Sequence, residues 1–401
     1  MTNRDYKFRV LYQDSVHGRI KISNKIISDL IHTREFQRLR EIKQLAGTSY
    51  LYPSAEHSRF VHSLGTYEIA RRILNKLDSK VSEEDRILVL CAALLHDLGH
   101  GPFSHIFEIA FTNIRHEKFT KKIILNPDSD INKVLTMYSK DFPKKIALLI
   151  DGKYSKNWMN KIISSEIDVD RIDYLLRDDK LSNAGYSSFN LEWLIKAFNI
   201  YNDELVFDSD SISTIETFLI GRYHMFKNVY NHPKDLAFSV LLNQIINRIE
   251  WLYKKNYKFK SNMEQYKLLK NADTISHYDF LKLNDSYVRN FIYELNNEDD
   301  QILSNLSKSL MQGRLLKVFN LDNKDEEKIF IQSTKGMIEN QEYSVVKLND
   351  SFYKSSLSKL EDILIYNSGK INKITNESIF LSERTADKKN SVKKYGYLLV
   401  V

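Results

Sequence analysis

The fold is decided by one stretch, Leu94-Leu95-His96-Asp97-Leu98-Gly99-His100-Gly101-Pro102-Phe103-Ser104-His105. Three of the chain's 11 histidines fall within ten positions here, and an aspartate directly follows the first of them. The apolar run over residues 87–95 predicts a buried helix, which the following Gly-Pro pair ends. Burying His and Asp without partners costs several kcal/mol. We therefore expect these side chains to face a site rather than to fill a core.

The composition predicts a large helical core. The chain has 401 residues, of which 42% are apolar, and the length alone suggests two or three domains. Only 12 glycines and 5 prolines are present, which favours helices over a β-sandwich or a disordered chain. The net charge of +7 fits an anionic ligand such as a nucleotide or nucleic acid, and it fits a lysine-rich surface equally well. The single cysteine, Cys91, excludes an internal disulfide.

The hydropathy of the chain predicts a soluble protein of the cytoplasm. The N-terminus lacks the apolar segment of a secretory signal. No window approaches the run of about 18 apolar residues that a membrane-spanning helix needs. We therefore expect no association with a membrane.

Periodicity and turn signals predict a mainly α fold with a smaller α/β region at the C-terminus. Two short strands, over residues 6–13 and 19–22, are followed by helices to about residue 255. Residues 256–401 are expected to form a second region, helical and then α/β, with an oligomerisation or regulatory role. Local patterns also predict individual elements along the chain. They are strands at 328–332, 343–347, 363–366 and 397–401, helices at 34–45, 191–200 and 351–360, and a hairpin at 367–369.

Two histidines and two aspartates form a candidate metal site. His96 and Asp97 are adjacent at a helix end, while His62 lies on an earlier helix and Asp170 on a later one. Such a ligand set suits Fe, Mn, Zn or a similar ion, and it leaves coordination positions for water and a phosphate oxygen. A purely structural role is favoured for a lone histidine such as His62, whereas the His-Asp pair inside an apolar run favours the metal.

Three further histidines, His100, His105 and His116, are candidates for proton transfer. A histidine close to a metal-bound phosphate can donate a proton to a leaving oxygen near neutral pH. For each of the three, a structural role remains an equal alternative.

Cations and aromatic residues recur at helical spacing and suit the binding of a phosphate and a base. Arg59 and His62 are three residues apart, so both can face the metal from one side of a helix. Two later stripes carry a spacing of four residues: Asp170, Tyr174 and Asp178, then Arg222, Phe226 and Tyr230. For Arg222 alone, an amphipathic helix with a solvated edge is the favoured alternative.

The order His62, His96-Asp97, Asp170 resembles that of the HD-domain metal-dependent phosphohydrolases. Longer strings make the likeness more specific: DSVHG at 14–18, EFQRLREIKQL at 35–45, RFVHSLG at 59–65, the opening stretch, and IDVDRIDYLLRD at 167–178. Together they resemble the deoxynucleoside triphosphate triphosphohydrolases (dNTPases), in the branch shared by bacterial enzymes and the animal enzyme that joins a sterile-alpha-motif domain to an HD domain. The likeness covers about residues 10–235, and the C-terminal third resembles the family only in outline.

The resemblance implies an HD-domain catalytic core over residues 1–255 that hydrolyses a dNTP to deoxynucleoside and inorganic triphosphate. It implies a divalent or transition metal (Mn, Fe, Zn, Mg or Ni) with four ligands, His62, His96, Asp97 and Asp170. It also implies a cluster around the triphosphate made of His100, His105, His116 and Glu108. In this cluster Glu108 stands where the family branch carries aspartate, and it would orient His116 as the acid.

The same resemblance implies how the nucleotide is held. The phosphates would be bound by Arg59, Arg171 and Arg222. The sugar would pack near Gln44 and Leu45, and its 3′-OH would donate to Asp178. The pocket would be completed by Tyr174, which stacks under the deoxyribose and excludes a 2′-OH, and by Tyr230.

The family likeness further implies an activating nucleotide and a homo-oligomer, which is a tetramer in the family. The animal enzyme reads an allosteric nucleotide with an aspartate, a glutamine and an arginine. Here Gln37 and Arg40 match the last two, while His32 stands at the place of the aspartate. A neutral histidine cannot accept two guanine N–H bonds as a carboxylate does, which argues against activation specific for guanine.

Two other functions remain open from the sequence. One is an HD phosphodiesterase or nuclease that acts on another phosphoester, such as a nucleotide second messenger or single-stranded nucleic acid. The basic charge allows nucleic acid as a partner but does not indicate it. The other is a nucleotide-sensing module without turnover, which the intact set of metal ligands argues against. The presence of Tyr174 with Asp178 favours dNTP hydrolysis over the first alternative.

Overall fold

Helices form most of the chain in the computed structural model, which describes residues 10–334, 345–349, 360–382 and 394–398. The predicted mainly α fold is therefore confirmed. The helices, numbered in chain order, are α1 (Lys25–Ile31), α2 (Arg34–Gln37), α3 (Arg59–Lys76), α4 (Glu83–Leu95), α5 (His105–Phe107), α6 (His116–Leu125), α7 (Asp130–Tyr138), α8 (Phe142–Ile150), α9 (Asn157–Ile163), α10 (Val169–Ser182), α11 (Leu191–Ala197), α12 (Ile212–Met225), α13 (Pro233–Lys254), α14 (Glu264–Lys270), α15 (His277–Phe280), α16 (Asp285–Leu295), α17 (Gln301–Met311) and α18 (Lys324–Thr334). Two short helical turns follow at Ile374–Glu377 and Ile379–Ser382. Among the described helices, none combines the length and the apolar character needed to cross a membrane.

Three small sheets accompany the helices in the described part of the chain. Their strands are β1 (Val10–Asp14), β2 (Gly18–Ile22), β3 (Phe198–Tyr201), β4 (Glu204–Asp208), β5 (Lys317–Asn320), β6 (Val345–Asn349), β7 (Leu364–Asn367), β8 (Lys370–Lys373) and β9 (Lys394–Leu398). The strand orders are β1-β2, β3-β4-β7-β8 and β5-β9-β6. The first pair confirms the predicted N-terminal strands over the described residues. The second sheet joins strands from both sides of residue 255, and the division of the chain there remains a proposal.

The ends of α4, the helix that leads into the opening stretch, follow from the sequence. The Ser82 hydroxyl accepts a hydrogen bond from the backbone N–H of Asp85 (3.2 Å), and three acids in the first turn oppose the helix dipole. Every side chain from Ile87 to Leu95 is buried. The helix ends there with His96 as its cap, as predicted. The site residues therefore begin where regular helical geometry stops.

The helix α3 packs against both α4 and α10 and brings the candidate ligands of all three helices together. The close contact between α3 and α10 depends on Gly65. A Cβ atom at that position would overlap the side chains of Asp173 and Arg177. The glycine of the string at 59–65 is therefore explained by helix packing.

The helix predicted over residues 34–45 is wrong in its second half. The helix α2 covers a single turn, a 3-10 turn follows, and Ile42 is extended. The backbone leaves the helix because it pairs with the segment before α3. The Arg59 N–H donates to the Ile42 carbonyl (2.8 Å), and the Gln44 N–H donates to the His57 carbonyl (2.9 Å).

Two other segments differ from the forms that their local patterns predict. The helix predicted at 191–200 ends at Ala197, because the next four residues form β3 and pair with β4. The strand predicted at 328–332 is wrong, since these residues lie in α18. The alternation of apolar residues favoured a strand, but acids in the first turn and the side-chain oxygen of Asn323, which accepts a backbone N–H, start a helix.

The remaining C-terminal predictions are confirmed where the residues are described. The strand at 363–366 and the hairpin at 367–369 correspond to β7, β8 and a turn with two positive φ angles. The strands β6 and β9 overlap those predicted at 343–347 and 397–401, while β5 was not predicted. The helix predicted at 351–360 lies almost wholly outside the described residues.

Candidate active site

Four side chains from three helices converge at the C-terminal end of α4. His62 comes from α3, His96 and Asp97 follow α4, and Asp170 lies in the first turn of α10. The Nε2 atom of His62 lies 3.0 Å from Asp170 Oδ1 and 3.6 Å from Asp97 Oδ2. The Nε2 atom of His96 lies 3.3 Å from Asp97 Oδ1 and 3.5 Å from Asp170 Oδ1. The structure thus brings together all four residues that the sequence predicted as metal ligands.

These spacings fit a metal ion. Atoms that bind one ion at about 2.1 Å lie about 3.0 Å apart at octahedral angles and about 3.4 Å apart at tetrahedral angles. The Nε2 atoms of His62 and His96 are buried and make no hydrogen bond of acceptable geometry within the described part of the chain. Burial acts to raise the pKa of the Asp97 carboxyl, but Arg59 and His96 hold that pKa well below its ordinary value. The cluster therefore offers both lone pairs and negative charge to a cation.

The second ring nitrogen of each candidate histidine ligand is held by a protein oxygen. His62 Nδ1 lies 2.8 Å from Asp173 Oδ2, and His96 Nδ1 lies 2.9 Å from the Ala93 carbonyl. A proton on each Nδ1 satisfies these bonds and leaves Nε2 with its lone pair toward the cluster. The tautomer that metal binding requires is thus built into the surroundings of both rings.

Asp173 orients His62 and is itself held by Arg177 and His17. Arg177 donates to its carboxylate from Nε (2.9 Å) and Nη2 (3.0 Å), and His17 Nε2 lies 2.6 Å from Asp173 Oδ1. Burial acts to raise the pKa of Asp173, but Arg177 and the two histidines keep it well below its ordinary value. No role was predicted for Asp173 or His17. The signal in the sequence was the spacing of Asp173, three residues after Asp170 and four before Arg177.

Replacing Asp173 with asparagine is expected to weaken metal binding about 10- to 100-fold, because the partner that orients His62 and raises its basicity is lost. The metal affinity is measured by titration of the metal-free protein. Asp14→Asn is the matched control, since Asp14 also pairs with Arg177 (2.8 Å) but does not contact His62. Equal losses of affinity in both variants would show that Asp173 acts through stability alone.

A second cluster of His100, His105, Glu108 and His116 lies beside the first. Glu108 Oε1 lies 2.6 Å from His116 Nδ1 and 3.4 Å from His105 Nδ1. The His100 and His116 rings stack with centroids 3.7 Å apart. Burial acts to raise the pKa of Glu108, but hydrogen bonds from His105 and His116 lower it overall. Stacked rings cannot easily point their nitrogens at one ion, so this cluster suits proton transfer better than a second metal.

The three histidines of this cluster differ in their surroundings. His100 is buried, and burial together with Arg59 and His116 lowers its pKa well below the ordinary value. The side chain of His105 is 68% exposed. His116 is mostly buried and has the shorter bond to Glu108. A neutral His100 and an exposed His105 are weaker candidates for an oriented acid than His116.

Gly99 lets α6 approach the end of α4 and thereby places His116. A Cβ atom at Gly99 would collide with the backbone of residues 116–120. The Gly99 N–H donates to the Thr120 hydroxyl (2.9 Å), which in turn donates to the His96 carbonyl (3.0 Å). The two histidine clusters are therefore fixed to each other by the backbone.

The loop after Pro102 is held in an unusual conformation by a residue from the C-terminal half of the chain. Phe103 and Ser104 both have positive φ angles, 55° and 56°. The buried Asp285 carboxylate, at the start of α16, accepts from the backbone N–H groups of Phe103 (2.7 Å) and Lys43 (3.0 Å). The Ser104 hydroxyl accepts from Arg59 Nε (2.8 Å). The strained loop is thus stabilised by its hydrogen bonds and positions Arg59.

A cavity of about 390 Å³ adjoins the two clusters. Its size lies within the range of about 300 to 1,000 Å³ that is usual for small-molecule sites. Arg59 and His105 line it next to the clusters, and the Arg59 guanidinium forms a buried ion pair with Asp97. Five residues predicted to hold the nucleoside also line it, namely Gln44, Leu45, Tyr174, Asp178 and Tyr230.

The buried Asp178 carboxylate joins two walls of the cavity. His57 Nε2 lies 2.7 Å from its Oδ1, and the Tyr230 hydroxyl donates to its Oδ2 (2.8 Å). The rings of Tyr174 and Tyr230 meet edge to face with centroids 6.0 Å apart. His57 was not predicted, since it lies in a loop without periodicity and only the folded chain brings it to Asp178.

Two of the predicted phosphate-binding arginines do not line the cavity and are paired with acids. Arg171 Nη1 lies 2.9 Å from Asp168 Oδ2, and Arg222 Nη1 lies 2.7 Å from Glu166 Oε2. Arg171 also lies 3.9 Å from Glu166, so both arginines meet at one acid. A phosphate would have to compete with these carboxylates.

The residues predicted to bind an activating nucleotide lie apart from the cavity. Arg40 Nε donates to Gln37 Oε1 (2.8 Å), and Gln37 Nε2 donates to the Ile31 carbonyl (2.7 Å). The Arg40 guanidinium stacks over the Phe60 ring at 3.6 Å. His32 Nδ1 bonds to the Ser28 carbonyl within its own helix (2.7 Å).

One comparison with known proteins matches the segment that contains the two clusters, and others match nearly the whole chain. A family model described as HD domain matches residues 59–178, which contain the four candidate ligands. The chain is 34% identical over 400 residues to the uncharacterized protein YwfO of Bacillus subtilis, across 96% of this chain and 91% of that protein. A crystal structure of a phosphohydrolase from Bacteroides thetaiotaomicron is similar with a TM-score of 0.83 and 26% identity, covering 98% of this chain and 100% of that one.

A relative named for its activity is similar over a shorter segment. The chain is 32% identical over 250 residues to the deoxynucleoside triphosphate triphosphohydrolase SAMHD1 homolog of Dictyostelium discoideum. The aligned segment covers 57% of this chain and 48% of that protein. This chain therefore spans about half the length of that relative.

Proposed function

Because this chain belongs to the HD-domain family of phosphohydrolases, we propose that it hydrolyses a dNTP to deoxynucleoside and inorganic triphosphate. The observation that carries the proposal is the connection between the metal-ligand cluster and the cavity of about 390 Å³. Arg59 makes this connection, since its guanidinium pairs with Asp97 and also lines the cavity. A phosphate bound at the cluster would therefore leave its nucleoside in the cavity.

His62, His96, Asp97 and Asp170 would hold the divalent metal that HD domains bind. When bound, such an ion supplies charge for a phosphate oxygen and lowers the pKa of a water molecule. Arg59 is placed to neutralise charge on the α-phosphate as the bond to the 5′-oxygen breaks. The water adds to the α-phosphorus, so its oxygen leaves with the triphosphate.

His116 would donate the proton that the departing 5′-oxygen needs. The Glu108 carboxylate holds His116 Nδ1 at 2.6 Å and orients the ring, so that a proton on Nε2 would be the one transferred. The stacked His100 is neutral and limits rotation of His116. The products are then a deoxynucleoside with a free 5′-OH and inorganic triphosphate.

Asp178, Tyr174 and Tyr230 would select the sugar. The Asp178 carboxylate accepts from His57 and Tyr230, yet it has further lone pairs for a 3′-OH. The Tyr174 ring at the cavity wall would occupy the space of a 2′-OH. The arginines at positions 171 and 222 would hold the outer phosphates after exchanging their carboxylate partners for phosphate oxygens.

Incubation of the purified protein with each dNTP and Mn²⁺ or Mg²⁺ is expected to release deoxynucleoside and triphosphate in equal amounts. Ion-exchange chromatography resolves triphosphate from pyrophosphate and orthophosphate. The ribonucleotides serve as the matched control and are expected to react far more slowly, because Tyr174 opposes the 2′-OH. Release of monophosphate and pyrophosphate, or no product in the presence of any second nucleotide, would contradict the proposal.

The resemblance of the sequence to the dNTPases also leads to two proposals about assembly and control. We propose a homo-oligomer, and we place an activating nucleotide at Gln37 and Arg40. The bond between these two side chains would have to open for a nucleotide to enter. With His32 in place of a carboxylate, the activator would not be selected through the two N–H groups of guanine.

A further inference from the structure

One oxygen of a carboxyl group in the wall of the cavity has no described hydrogen-bond partner. Asp235, in the first turn of α13, lines the cavity together with Thr48, Leu236 and Ser239. Its Oδ1 atom is buried and makes no hydrogen bond within the described residues. Buried polar atoms in proteins are nearly always paired, so an unpaired carboxylate oxygen on a residue that lines a ligand cavity needs an explanation.

The surroundings of Asp235 contain no described cation that would explain its position. Burial raises the pKa of Asp235 to about 7, against a smaller opposing effect of the Thr48 hydroxyl. The phenol of Tyr52 is the other titratable group close enough to interact with it. None of the described ion pairs includes this residue. Asp235 favours the start of α13 as an acid in the first turn and bonds to Thr48, but no described cation compensates the burial of its carboxylate.

Asp235 differs in this respect from the other carboxyl group that lines the cavity. Both oxygens of Asp178 have partners, which are His57 and Tyr230. Asp178 is also joined through these partners to the part of the cavity assigned to the sugar. Asp235 is thus the carboxyl group that remains available to another part of a bound nucleoside, and that part is the base.

Resting on the function proposed above, we propose that the Asp235 carboxyl binds the Watson–Crick edge of the base and favours dGTP over dTTP. Guanine presents a ring N–H beside an exocyclic amino group, and these two donors match the two oxygens of a carboxylate. Thymine presents one N–H between two carbonyl oxygens, which would face the carboxylate oxygens and repel them. Adenine and cytosine, with one amino group each, should lie between these extremes.

The proposal is tested by competition between equimolar dGTP and dTTP in one reaction. The ratio of the two deoxynucleosides formed gives the ratio of kcat/KM values, and this ratio does not depend on the fraction of folded enzyme. Asp235→Asn is expected to lower the dGTP:dTTP ratio by about tenfold to a hundredfold, the value of a hydrogen bond to a charged group. The asparagine amide can donate to a thymine carbonyl and accept from its N–H. Asp210→Asn, at an exposed site, is the matched control and should leave the ratio unchanged.

The failure of this inference differs from a failure of the proposed function. If dNTPs are hydrolysed and Asp235→Asn leaves the ratio unchanged, the role of Asp235 is wrong and the activity stands. If no dNTP is hydrolysed, the role of Asp235 is tested by calorimetry, which measures the binding of deoxyguanosine and thymidine to the wild-type protein and to Asp235→Asn. Tighter binding of deoxyguanosine that Asp235→Asn removes would support the inference. Equal binding of the two nucleosides, or no binding of either, would overturn it.

Discussion

Asp97→Asn is expected to remove the metal and, with it, the hydrolytic activity. Both oxygens of Asp97 face the other candidate ligands. Its Oδ1 lies 3.3 Å from His96 Nε2, and its Oδ2 lies 3.6 Å from His62 Nε2. Loss of a partner that merely orients a ligand already costs about 10- to 100-fold in metal affinity, so the loss of a charged ligand should exceed about a hundredfold. Metal content after dialysis and kcat with a saturating dNTP measure the two effects.

Asparagine is a better substitution at this position than alanine. Asp97 also pairs with the buried Arg59, and removing one partner of a buried ion pair costs about 3 to 5 kcal/mol. The amide keeps an acceptor for Arg59 and preserves the fold, which circular dichroism and thermal unfolding can verify. Asp85→Asn, in the first turn of α4, should keep both metal and activity. Stoichiometric metal and normal turnover in Asp97→Asn would disprove the assignment of the ligand.

His116→Gln is expected to lower kcat about 10²- to 10⁴-fold while the metal is retained, because the leaving oxygen loses its proton donor. KM should change little, since His116 does not line the cavity. The glutamine side chain can keep a hydrogen bond to Glu108, so the local fold should survive. Steady-state kinetics and metal analysis of the same preparation separate the two effects.

His105→Gln is the matched comparison for this prediction. His105 contacts the same glutamate from a longer distance, 3.4 Å rather than 2.6 Å, and its side chain is largely exposed. We expect it to lose less kcat than His116→Gln. A larger loss for His105→Gln would transfer the role of the acid to His105. A fall in metal content in His116→Gln would show that the second cluster supports the metal rather than the proton transfer.

The metal cluster could be predicted because its residues are marked by local signals. His96 and Asp97 end an apolar run with a capped start, and burial of such a pair is costly without a ligand. The capped start of α4 at Ser82 is a signal of the same local kind. The same reasoning failed at 328–332, where apolar alternation pointed to a strand and the acids at the helix start decided the outcome.

Other parts of the site could not be predicted, because they exist only after distant segments meet. His57 reaches Asp178 from a loop, and Asp285 reaches Phe103 across 182 positions of the chain. No periodicity or spacing links such pairs. The pairing of Arg222 with Glu166 is of the same kind, and it explains why a cation predicted to face phosphate is already bound to an acid.

The hydrogen bonds of Asp285 also have an evolutionary consequence. This aspartate, at the start of α16, holds the loop of Phe103 and the turn of Lys43 from the C-terminal half of the chain. A gene fragment that encoded only residues 1–255 would lack the group that holds the loop of Phe103 and Ser104. Recombination could exchange the C-terminal half only for one that brings an acid to the same place. The loop of Phe103 therefore constrains which C-terminal halves can follow the N-terminal one.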